Sequence, residues 1–288
     1  MTFRAACLQL TSSAEVAENI ATVERLARRA AADGASYIQT PEMTNIVERK
    51  RERLQAAIRP EAGDPGVTTF AGLAAELKVV LHIGSLALDA GGGKIANRAF
   101  VFGPDGEALA RYDKIHLFDV DLPGGESWRE SATYTPGERA VAVDLPWCRL
   151  GVTICYDLRF PHLYRALAHA GANVLTAPAA FTRQTGEAHW DVLQRARAIE
   201  NGAFMVSAAQ GGRHADGRET YGHSIIVAPW GEVLAEAGGE GPEVILADID
   251  VERAAEARRR IPSLRNERPF TPPAAPEPQP EPARLRSA

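Results

Sequence analysis

A cysteine at the end of an apolar segment is the residue of this chain best placed for covalent chemistry. Residues 151–154 are typical of a buried strand, and Cys155 follows directly, ahead of a helix predicted over residues 162–170. A sharp turn from a strand into a helix exposes a nucleophile and points backbone N–H groups at the oxygen of an attacked carbonyl. The alternative is a buried cysteine that behaves as a small hydrophobic residue, as most free cysteines do.

Two other predicted strands lead to charged side chains. Residues 35–39 form an extended apolar segment that continues into Pro41 and Glu42. Residues 107–111 form a strand shortly before Lys114. A carboxylate, an ammonium group and a thiol at three strand ends could converge along one edge of a sheet. Taken singly, Glu42 could instead lie at a helix N-terminus, and Lys114 could be a solvent-exposed loop lysine.

Three motifs carry a resemblance to a known family. They are Pro41-Glu42, the segment Tyr112-Asp-Lys-Ile-His-Leu-Phe118 and the segment Ile154-Cys-Tyr-Asp-Leu-Arg-Phe-Pro161. With these motifs in this order and at these separations, the chain resembles the nitrilase superfamily of carbon–nitrogen hydrolases. The resemblance extends from Arg4 to about Phe270. That family hydrolyses carbon–nitrogen bonds with a glutamate, a lysine and a cysteine.

The resemblance implies a role for each matching side chain. Glu42 is the expected general base, Lys114 the oxyanion stabiliser and Cys155 the nucleophile. Glu130 matches the family's second active-site glutamate. On physical grounds the oxyanion would lie between Lys114 and the backbone N–H of Tyr156. A lysine beside a cysteine favours the thiolate, so we expect a lowered pKa for the Cys155 thiol.

The predicted elements indicate one domain and a tail. Strands alternate with helices through residues 1–270 without a shift in composition, and the strands outnumber the helices. This pattern favours two sheets that pack face to face with helices outside. The resemblance implies the same fold, a four-layer α-β-β-α sandwich. We therefore predict a carbon–nitrogen hydrolase domain over residues 1–270 and a flexible, proline-rich tail over residues 271–288.

Two further segments bear on the site. Residues 113–139 contain Asp, Gly and Pro with little periodicity, and are predicted to form a long functional loop. A loop over residues 178–186 is predicted to precede a helix over residues 187–201. The apolar stripe of that helix, which includes Val192 and Ile199, is expected to face the core.

Composition and charge argue against several classes of protein. The net charge is −5, with both signs spread along the chain, so nothing predicts binding to nucleic acid or to an anionic membrane. No apolar run approaches the roughly 20 residues of a membrane-spanning helix. Cys7, Cys148 and Cys155 cannot all pair, and their spacing is not that of a zinc site. We expect a cytoplasmic protein with no metal and no organic cofactor.

Motifs in the C-terminal half of the chain indicate which branch of the superfamily the chain resembles. Residues 179–201 resemble the branch of the superfamily that contains deaminated glutathione amidase and omega-amidase, and residues 208–214 and 220–224 are closer to the former. The resemblance implies an amidase that hydrolyses the terminal amide of a small carboxylated substrate, a 2-oxo acid amide. It implies release of ammonia through a cysteine thioester, and a homodimer or larger homo-oligomer.

Carboxylates on the substrate require cationic or N–H donors. Arg183, Arg213 and His214 lie in predicted loops after strands and are candidates for substrate binding, the alternative being ordinary surface side chains. Two rival activities on the same fold are hydrolysis of an N-carbamoyl amino acid and of a nitrile. A third alternative is a non-catalytic binding subunit, which predicts the loss of a triad residue, whereas this chain retains all three.

Overall fold

The structure, a computed structural model, describes residues 1–122, 125 and 127–274. The strands, in chain order, are β1 (Thr2–Gln9), β2 (Tyr37–Gln39), β3 (Val80–Gly91), β4 (Lys94–Phe102), β5 (Ala108–Asp113), β6 (Asp119–Asp121), β7 (Ser127–Arg129), β8 (Val141–Asp144), β9 (Arg149–Val152), β10 (Val174–Thr176), β11 (Phe204–Ser207), β12 (Gly211–Arg213), β13 (Glu219–Tyr221), β14 (Ile225–Val227), β15 (Val233–Glu236) and β16 (Glu243–Asp250). The helices are α1 (Val16–Ala32), α2 (Arg51–Ala57), α3 (Pro65–Leu77), α4 (Pro161–His169), α5 (Arg183–Asn201) and α6 (Glu252–Arg260), with 3₁₀ segments at Glu61–Gly63, Glu130–Ala132 and Cys155–Arg159.

Two six-stranded sheets share one pattern. Their strand orders are β16-β1-β2-β3-β4-β5 and β15-β14-β11-β10-β9-β8. In each sheet three central strands are parallel and the flanking strands are antiparallel. Parallel neighbours bring their carboxyl ends to one edge, so the segments after β2, β9 and β10 lie at the two edges from which an active site can be built.

Alternating side chains of each strand fill two different cores. Along β1, Ala5 and Cys7 belong to the core between the sheets, whereas Ala6 and Leu8 pack toward α1 and α3. This is the two-residue period of a strand buried on both faces. On the other side of the molecule, α4 and α5 pack on the second sheet. The order of layers is helices, sheet, sheet, helices, which confirms the predicted four-layer sandwich.

Helix α5 differs from its prediction in both its start and its buried face. The Thr182 side chain caps the helix by accepting from the amide of residue 185, so the helix begins at residue 183 rather than at 187. The predicted core stripe is wrong, because Val192 is 66% exposed and Ile199 is 54% exposed. The buried face instead carries polar side chains with internal partners: Gln194 bonds to Ser207, and Arg197 donates to a backbone carbonyl.

The segments expected to be irregular have different outcomes. Residues 113–139 contain the hairpin of β6 and β7 and the 3₁₀ segment Glu130–Ala132, so this stretch is more ordered than predicted. Of the predicted tail, residues 271–274 are exposed and have no regular secondary structure, and residues 275–288 lie outside the described residues. In the described part of the chain, no helix has the length and apolarity needed to cross a membrane.

Candidate active site

The Cys155 segment forms the sharp turn that its sequence predicts. After β9 the chain passes into the 3₁₀ segment Cys155–Arg159, and Cys155 itself adopts a left-handed conformation with φ of 49°. For a residue with a Cβ atom this conformation costs about 1–2 kcal/mol. Its amide donates to the Pro178 carbonyl at 2.9 Å, which ties this turn to the end of β10. The thiol is thereby held at the edge of the second sheet, almost fully buried.

Glu42 is buried and receives three hydrogen bonds. One oxygen accepts from Lys114 Nζ at 2.8 Å and from Asn97 Nδ2 at 2.9 Å, and the other accepts from the amide of Ala180 at 3.0 Å. A buried carboxylate requires such partners, since an unpaired one would carry a large desolvation penalty. The three donors come from both sheets, so this carboxylate has a fixed position between them.

Lys114 connects the two glutamates. Its ammonium group is only 2% exposed and lies 2.8 Å from Glu42 and 2.9 Å from Glu130. Glu130 also accepts from the amide of Phe118 at 2.6 Å. The structure thus brings Glu42, Lys114 and Glu130 together with Cys155, as the resemblance implied. We call these four residues the catalytic floor.

Burial and charge set the protonation states of the catalytic floor. Burial and the neighbouring Glu42 carboxylate raise the pKa of the Cys155 thiol well above its ordinary value, and the charge of Lys114 only partly opposes this. The predicted lowering of this pKa is therefore wrong for the enzyme without substrate. Burial also disfavours ionised Glu42, but the Lys114 charge and hydrogen bonds from Cys155, Lys114 and Asn97 outweigh it and lower the Glu42 pKa. The arrangement is an ionised base beside a neutral thiol.

The oxyanion donors proposed from the sequence lie next to the thiol. Tyr156 follows Cys155 in the first turn of its 3₁₀ segment, where backbone N–H groups have no partner within the helix. Tyr156 and Lys114 both line the cavity that contains Cys155. A carbonyl oxygen bound in this cavity can therefore be stabilised by the Lys114 ammonium group and by the backbone N–H groups at the start of the 3₁₀ segment.

Asp157 links the lysine segment to the cysteine segment. Its carboxylate is completely buried and accepts from the Tyr112 hydroxyl at 2.7 Å, the Ile154 amide at 2.9 Å and the His116 amide at 3.1 Å. Tyr112 and His116 lie two residues before and after Lys114. The flanking residues of two motifs thus meet at one carboxylate, which fixes Lys114 relative to Cys155.

Gly84 permits the close approach of the two sheets beneath the site. A Cβ atom at this position would lie 2.2 Å from the Thr40 carbonyl oxygen and 2.4 Å from Pro178 Cβ. Thr40 lies two residues before Glu42, and the Pro178 carbonyl accepts a hydrogen bond from the Cys155 amide. Only glycine fits here without moving one of the two catalytic segments.

Asn97 is a site residue that no sequence motif indicated. Its amide donates to Glu42 at 2.9 Å and to Glu130 at 3.3 Å, and it lies in the middle of β4. The available signal was a polar residue that shares one face of β4 with the apolar Ile95 and Ala99, two residues before and after it. Such a residue is costly to bury unless it has a partner, so it indicates a buried polar network.

A cavity of about 320 Å³ opens above the catalytic floor. Its walls include the aromatic side chains of Phe118, Trp128, Tyr134 and Phe181 and the arginines Arg49, Arg159 and Arg218. A cavity of this size suits a small organic molecule, and the arginines suit an anionic one. Among the described residues, no group of three or more His, Cys, Asp or Glu side chains could hold a metal ion.

The three residues predicted to bind substrate do not line this cavity. Arg183 is 60% exposed at the start of α5, paired with Glu187, and together with Arg213 it lines a separate shallow depression. His214 is buried and bonds to the Ser12 carbonyl and to the Thr220 hydroxyl. The capping of α5 by Thr182 turns Arg183 outward, which the predicted loop over residues 178–186 did not anticipate.

A family model, curated protein sequences and solved structures all relate this chain to the same family. The family model "Carbon-nitrogen hydrolase" matches residues 4–259. The chain is 40% identical to a deaminated glutathione amidase from Synechocystis over 92% of this chain and 97% of that protein. It is 39% identical to human omega-amidase NIT2 over 92% of this chain and 95% of that protein. The crystal structure of the C. elegans NitFhit protein superposes with a TM-score of 0.86 and 32% identity over 93% of this chain and 65% of the NitFhit chain.

These matches extend over almost the whole described chain and include the segments that carry Glu42, Lys114, Glu130 and Cys155. The fold, the order of the motifs and the sequence identity agree with one another. The chain belongs to the carbon–nitrogen hydrolase family.

Proposed function

We propose that this amidase hydrolyses the amide of a small 2-oxo acid, through a thioester on Cys155. The observation that carries the proposal is the catalytic floor, where an ionised carboxylate, an ammonium group and a neutral thiol meet at the base of one cavity. The substrate class is supported by the relatives named deaminated glutathione amidase and omega-amidase.

In the first half of the proposed reaction, Cys155 attacks the amide carbonyl. Because the thiol is neutral, Glu42 accepts its proton as the sulfur–carbon bond forms. The oxyanion is stabilised by Lys114 and the backbone N–H of Tyr156. Glu42 then returns the proton to the leaving nitrogen, the carbon–nitrogen bond breaks, and the amine departs to leave a thioester.

In the second half, water hydrolyses the thioester. Glu42 accepts a proton from the water as its oxygen attacks, and the same two donors hold the second oxyanion. Collapse of the intermediate breaks the carbon–sulfur bond, the sulfur regains its proton, and the free acid leaves. Glu130 has no proton to move in this scheme; it keeps Lys114 charged and in place through the contact at 2.9 Å.

Arg159 is the proposed partner for the carboxylate of the 2-oxo acid. It lines the cavity, its guanidinium lies 5.3 Å from the centre of the Phe181 ring, and its side chain forms a hydrogen bond with His189. Burial lowers the pKa of Arg159, and the neighbouring Cys155 and Tyr156 oppose this. A partly buried guanidinium beside the nucleophile favours a substrate with an anionic group close to its reacting carbonyl.

A substrate comparison tests this function. We expect ammonia release from 2-oxoglutaramate and dipeptide release from deaminated glutathione, both abolished in Cys155→Ala. An N-carbamoyl amino acid and an aliphatic nitrile should react at least about a hundredfold more slowly, because neither matches the amide and carboxylate geometry. Faster turnover of the N-carbamoyl compound or the nitrile would reassign the substrate class, and unchanged amide hydrolysis by Cys155→Ala would contradict the mechanism.

We further propose a cytoplasmic homodimer. A cytoplasmic location is supported by Cys7, Cys148 and Cys155, all free and buried, because a reducing compartment keeps cysteines unpaired. Dimerisation is supported by exposed apolar side chains on and beside α5, namely Val192, Ile199 and Trp230. Light scattering on Ile199→Glu tests the dimer: a monomer is expected, and an unchanged mass equal to two chains would place the interface elsewhere.

A further inference from the structure

Two arginines approach one tryptophan at the wall of the catalytic cavity. The guanidinium carbons of Arg49 and Arg218 lie 5.1 Å and 4.9 Å from the centre of a Trp128 ring. All three side chains line the cavity that contains Cys155. We call Arg49, Trp128 and Arg218 the Trp128 cluster. Three separate segments supply it: the stretch before α2, strand β7 and the turn between β12 and β13.

The positive charge of the Trp128 cluster is incompletely neutralised. The Arg218 side chain is only 17% exposed, and its Nε is buried without a hydrogen-bond acceptor. In the described part of the chain, its one ion pair is with Asp216, at 3.5 Å. Within the described residues, Arg49 has no carboxylate at ion-pair distance. Two guanidinium groups near one ring, facing a cavity, form a ready site for an anion.

The contacts of Glu130 place the Trp128 cluster on the Glu42 side of the cavity: Trp128 lies two residues before Glu130, and Glu130 and Glu42 both accept from Lys114 and from Asn97. Burial lowers the pKa of Arg218 and the charge of Arg49 adds to this, while Asp216, Tyr134 and Glu42 oppose it. Arg159, by contrast, interacts with Cys155 and Tyr156. Arg218 and Arg159 therefore have different neighbours in the cavity: the base Glu42 for Arg218 and the nucleophile Cys155 for Arg159.

The chemistry of the reaction assigns a part of the substrate to each region. Glu42 must face the scissile nitrogen to protonate it, so whatever the nitrogen carries extends from the Glu42 side. The acyl group stays on Cys155, beside Arg159. An anion near Arg218 therefore belongs to the leaving amine rather than to the acyl group.

We propose that the Trp128 cluster binds a carboxylate carried by the leaving amine and so selects amides of amino acids or dipeptides over primary amides. This inference rests on the proposed function, because it needs Glu42 to protonate the leaving group. Its substrate has two anionic ends, one at Arg159 and one at Arg218. Deaminated glutathione has this form, whereas 2-oxoglutaramate lacks the second carboxylate.

A substrate pair isolates the second carboxylate. Deaminated glutathione and its C-terminal amide differ only in that group. For the wild-type enzyme we expect amidation to lower kcat/KM by about tenfold to a hundredfold, the loss typical of a charge-assisted hydrogen bond. For Arg218→Gln we expect lower kcat/KM on the free acid and an effect of amidation below about threefold, because the partner charge is already gone.

The ratio of the two substrates does not depend on how much of a variant is folded. Arg49→Gln provides a second variant, expected to reduce the effect of amidation in the same direction. The matched control is Arg111→Gln, since Arg111 also lies over an aromatic ring, at 5.8 Å from the centre of Phe100, but outside the cavity. It should keep the full sensitivity to amidation.

The outcomes separate the two proposals. The role of the Trp128 cluster is overturned if amidation lowers kcat/KM equally in the wild type, Arg218→Gln and Arg49→Gln. It is also overturned if amidation has no effect in the wild type. In both cases the amidase function stands. A wild-type enzyme that hydrolyses neither these substrates nor 2-oxoglutaramate overturns the proposed substrate class, and the cluster's role with it.

Discussion

The catalytic floor and the Trp128 cluster line the same cavity but are built on opposite principles. In the floor, opposite charges are paired: Lys114 lies between Glu42 and Glu130, at 2.8 Å and 2.9 Å. In the cluster, two like charges approach one ring, and among the residues that the structure describes only the Asp216 carboxylate lies within ion-pair distance of either arginine. The floor is complete without substrate, whereas the cluster is completed by an anion.

This difference predicts different consequences of mutation. A buried network of paired charges does not tolerate substitution, because removal of one member leaves its partners desolvated and unpaired. A cationic region supported by loops should affect substrate choice more than the chemical step. Changes in the floor should therefore lower the rate for every substrate, and changes in the cluster should alter the ratio between substrates.

Glu42→Gln should have the largest effect of the substitutions that preserve side-chain shape. Gln cannot accept the thiol proton, so we expect kcat to fall by about 10²–10⁴-fold for all amide substrates. Steady-state kinetics with 2-oxoglutaramate and deaminated glutathione measures this. A loss restricted to one of the two substrates would show that Glu42 contributes to binding rather than to proton transfer.

Gly84→Ala should be the next most damaging change, although it touches no substrate. The new methyl group would force the Thr40 carbonyl or Pro178 to move, and misplacement of catalytic groups by about 1 Å can cost about a hundredfold in rate. Gly72→Ala is the matched control, since a Cβ atom there meets nothing within 4 Å. Equal kinetics for both variants would contradict the role of Gly84 as the close contact between sheets.

Asn97→Ala should produce a moderate loss and a shift in pH dependence. The Lys114 charge and hydrogen bonds from Cys155, Lys114 and Asn97 outweigh burial and lower the pKa of the Glu42 carboxyl below its ordinary 4.5, so wild-type activity should persist until the pH falls below that value. Removal of the Asn97 donor raises the Glu42 pKa, and the acid limb of kcat/KM should move to higher pH. The rate on the plateau should drop by about tenfold. An acid limb that stays in place or moves lower would exclude Glu42 as the titrating base.

Arg213→Ala should have the smallest effect. Arg213 lies in a depression separate from the catalytic cavity, so KM for both carboxylated substrates should change by less than about twofold. The comparison with Arg218→Gln is informative because both residues flank the same β12–β13 turn. A large rise in KM for Arg213→Ala would restore the substrate-binding role that its sequence position suggested.

The catalytic floor was accessible from sequence because its motifs are local, lie near strand ends and resemble those of a known family. Tyr112 and His116 flank Lys114 at the end of β5, and both bond to Asp157, two residues after Cys155. The residues around each catalytic side chain thus encode its position. The fold could be predicted for a similar reason, since strand and helix periodicities are local.

The Trp128 cluster and the burial of charges were not accessible in this way. Three distant segments of the chain supply Arg49, Trp128 and Arg218, and no spacing in the sequence predicts that these side chains approach one another. The pKa of Cys155 was predicted in the wrong direction because charge pattern shows the neighbouring lysine but not the desolvation, which dominates. The buried face of helix α5 was mispredicted for the same reason: it mixes the apolar Trp190 and Ala198 with polar side chains such as Gln194, whose amide oxygen accepts from the Ser207 hydroxyl.

The most direct test is to stop the reaction with acid during turnover and locate the acyl group by peptide mass spectrometry. The mechanism predicts the 2-oxo acyl group on the peptide that contains Cys155, and an acyl hydroxamate when hydroxylamine is present during turnover. An acyl group on a different peptide, or continued hydrolysis with neither acylated enzyme nor hydroxamate, would contradict nucleophilic catalysis by Cys155.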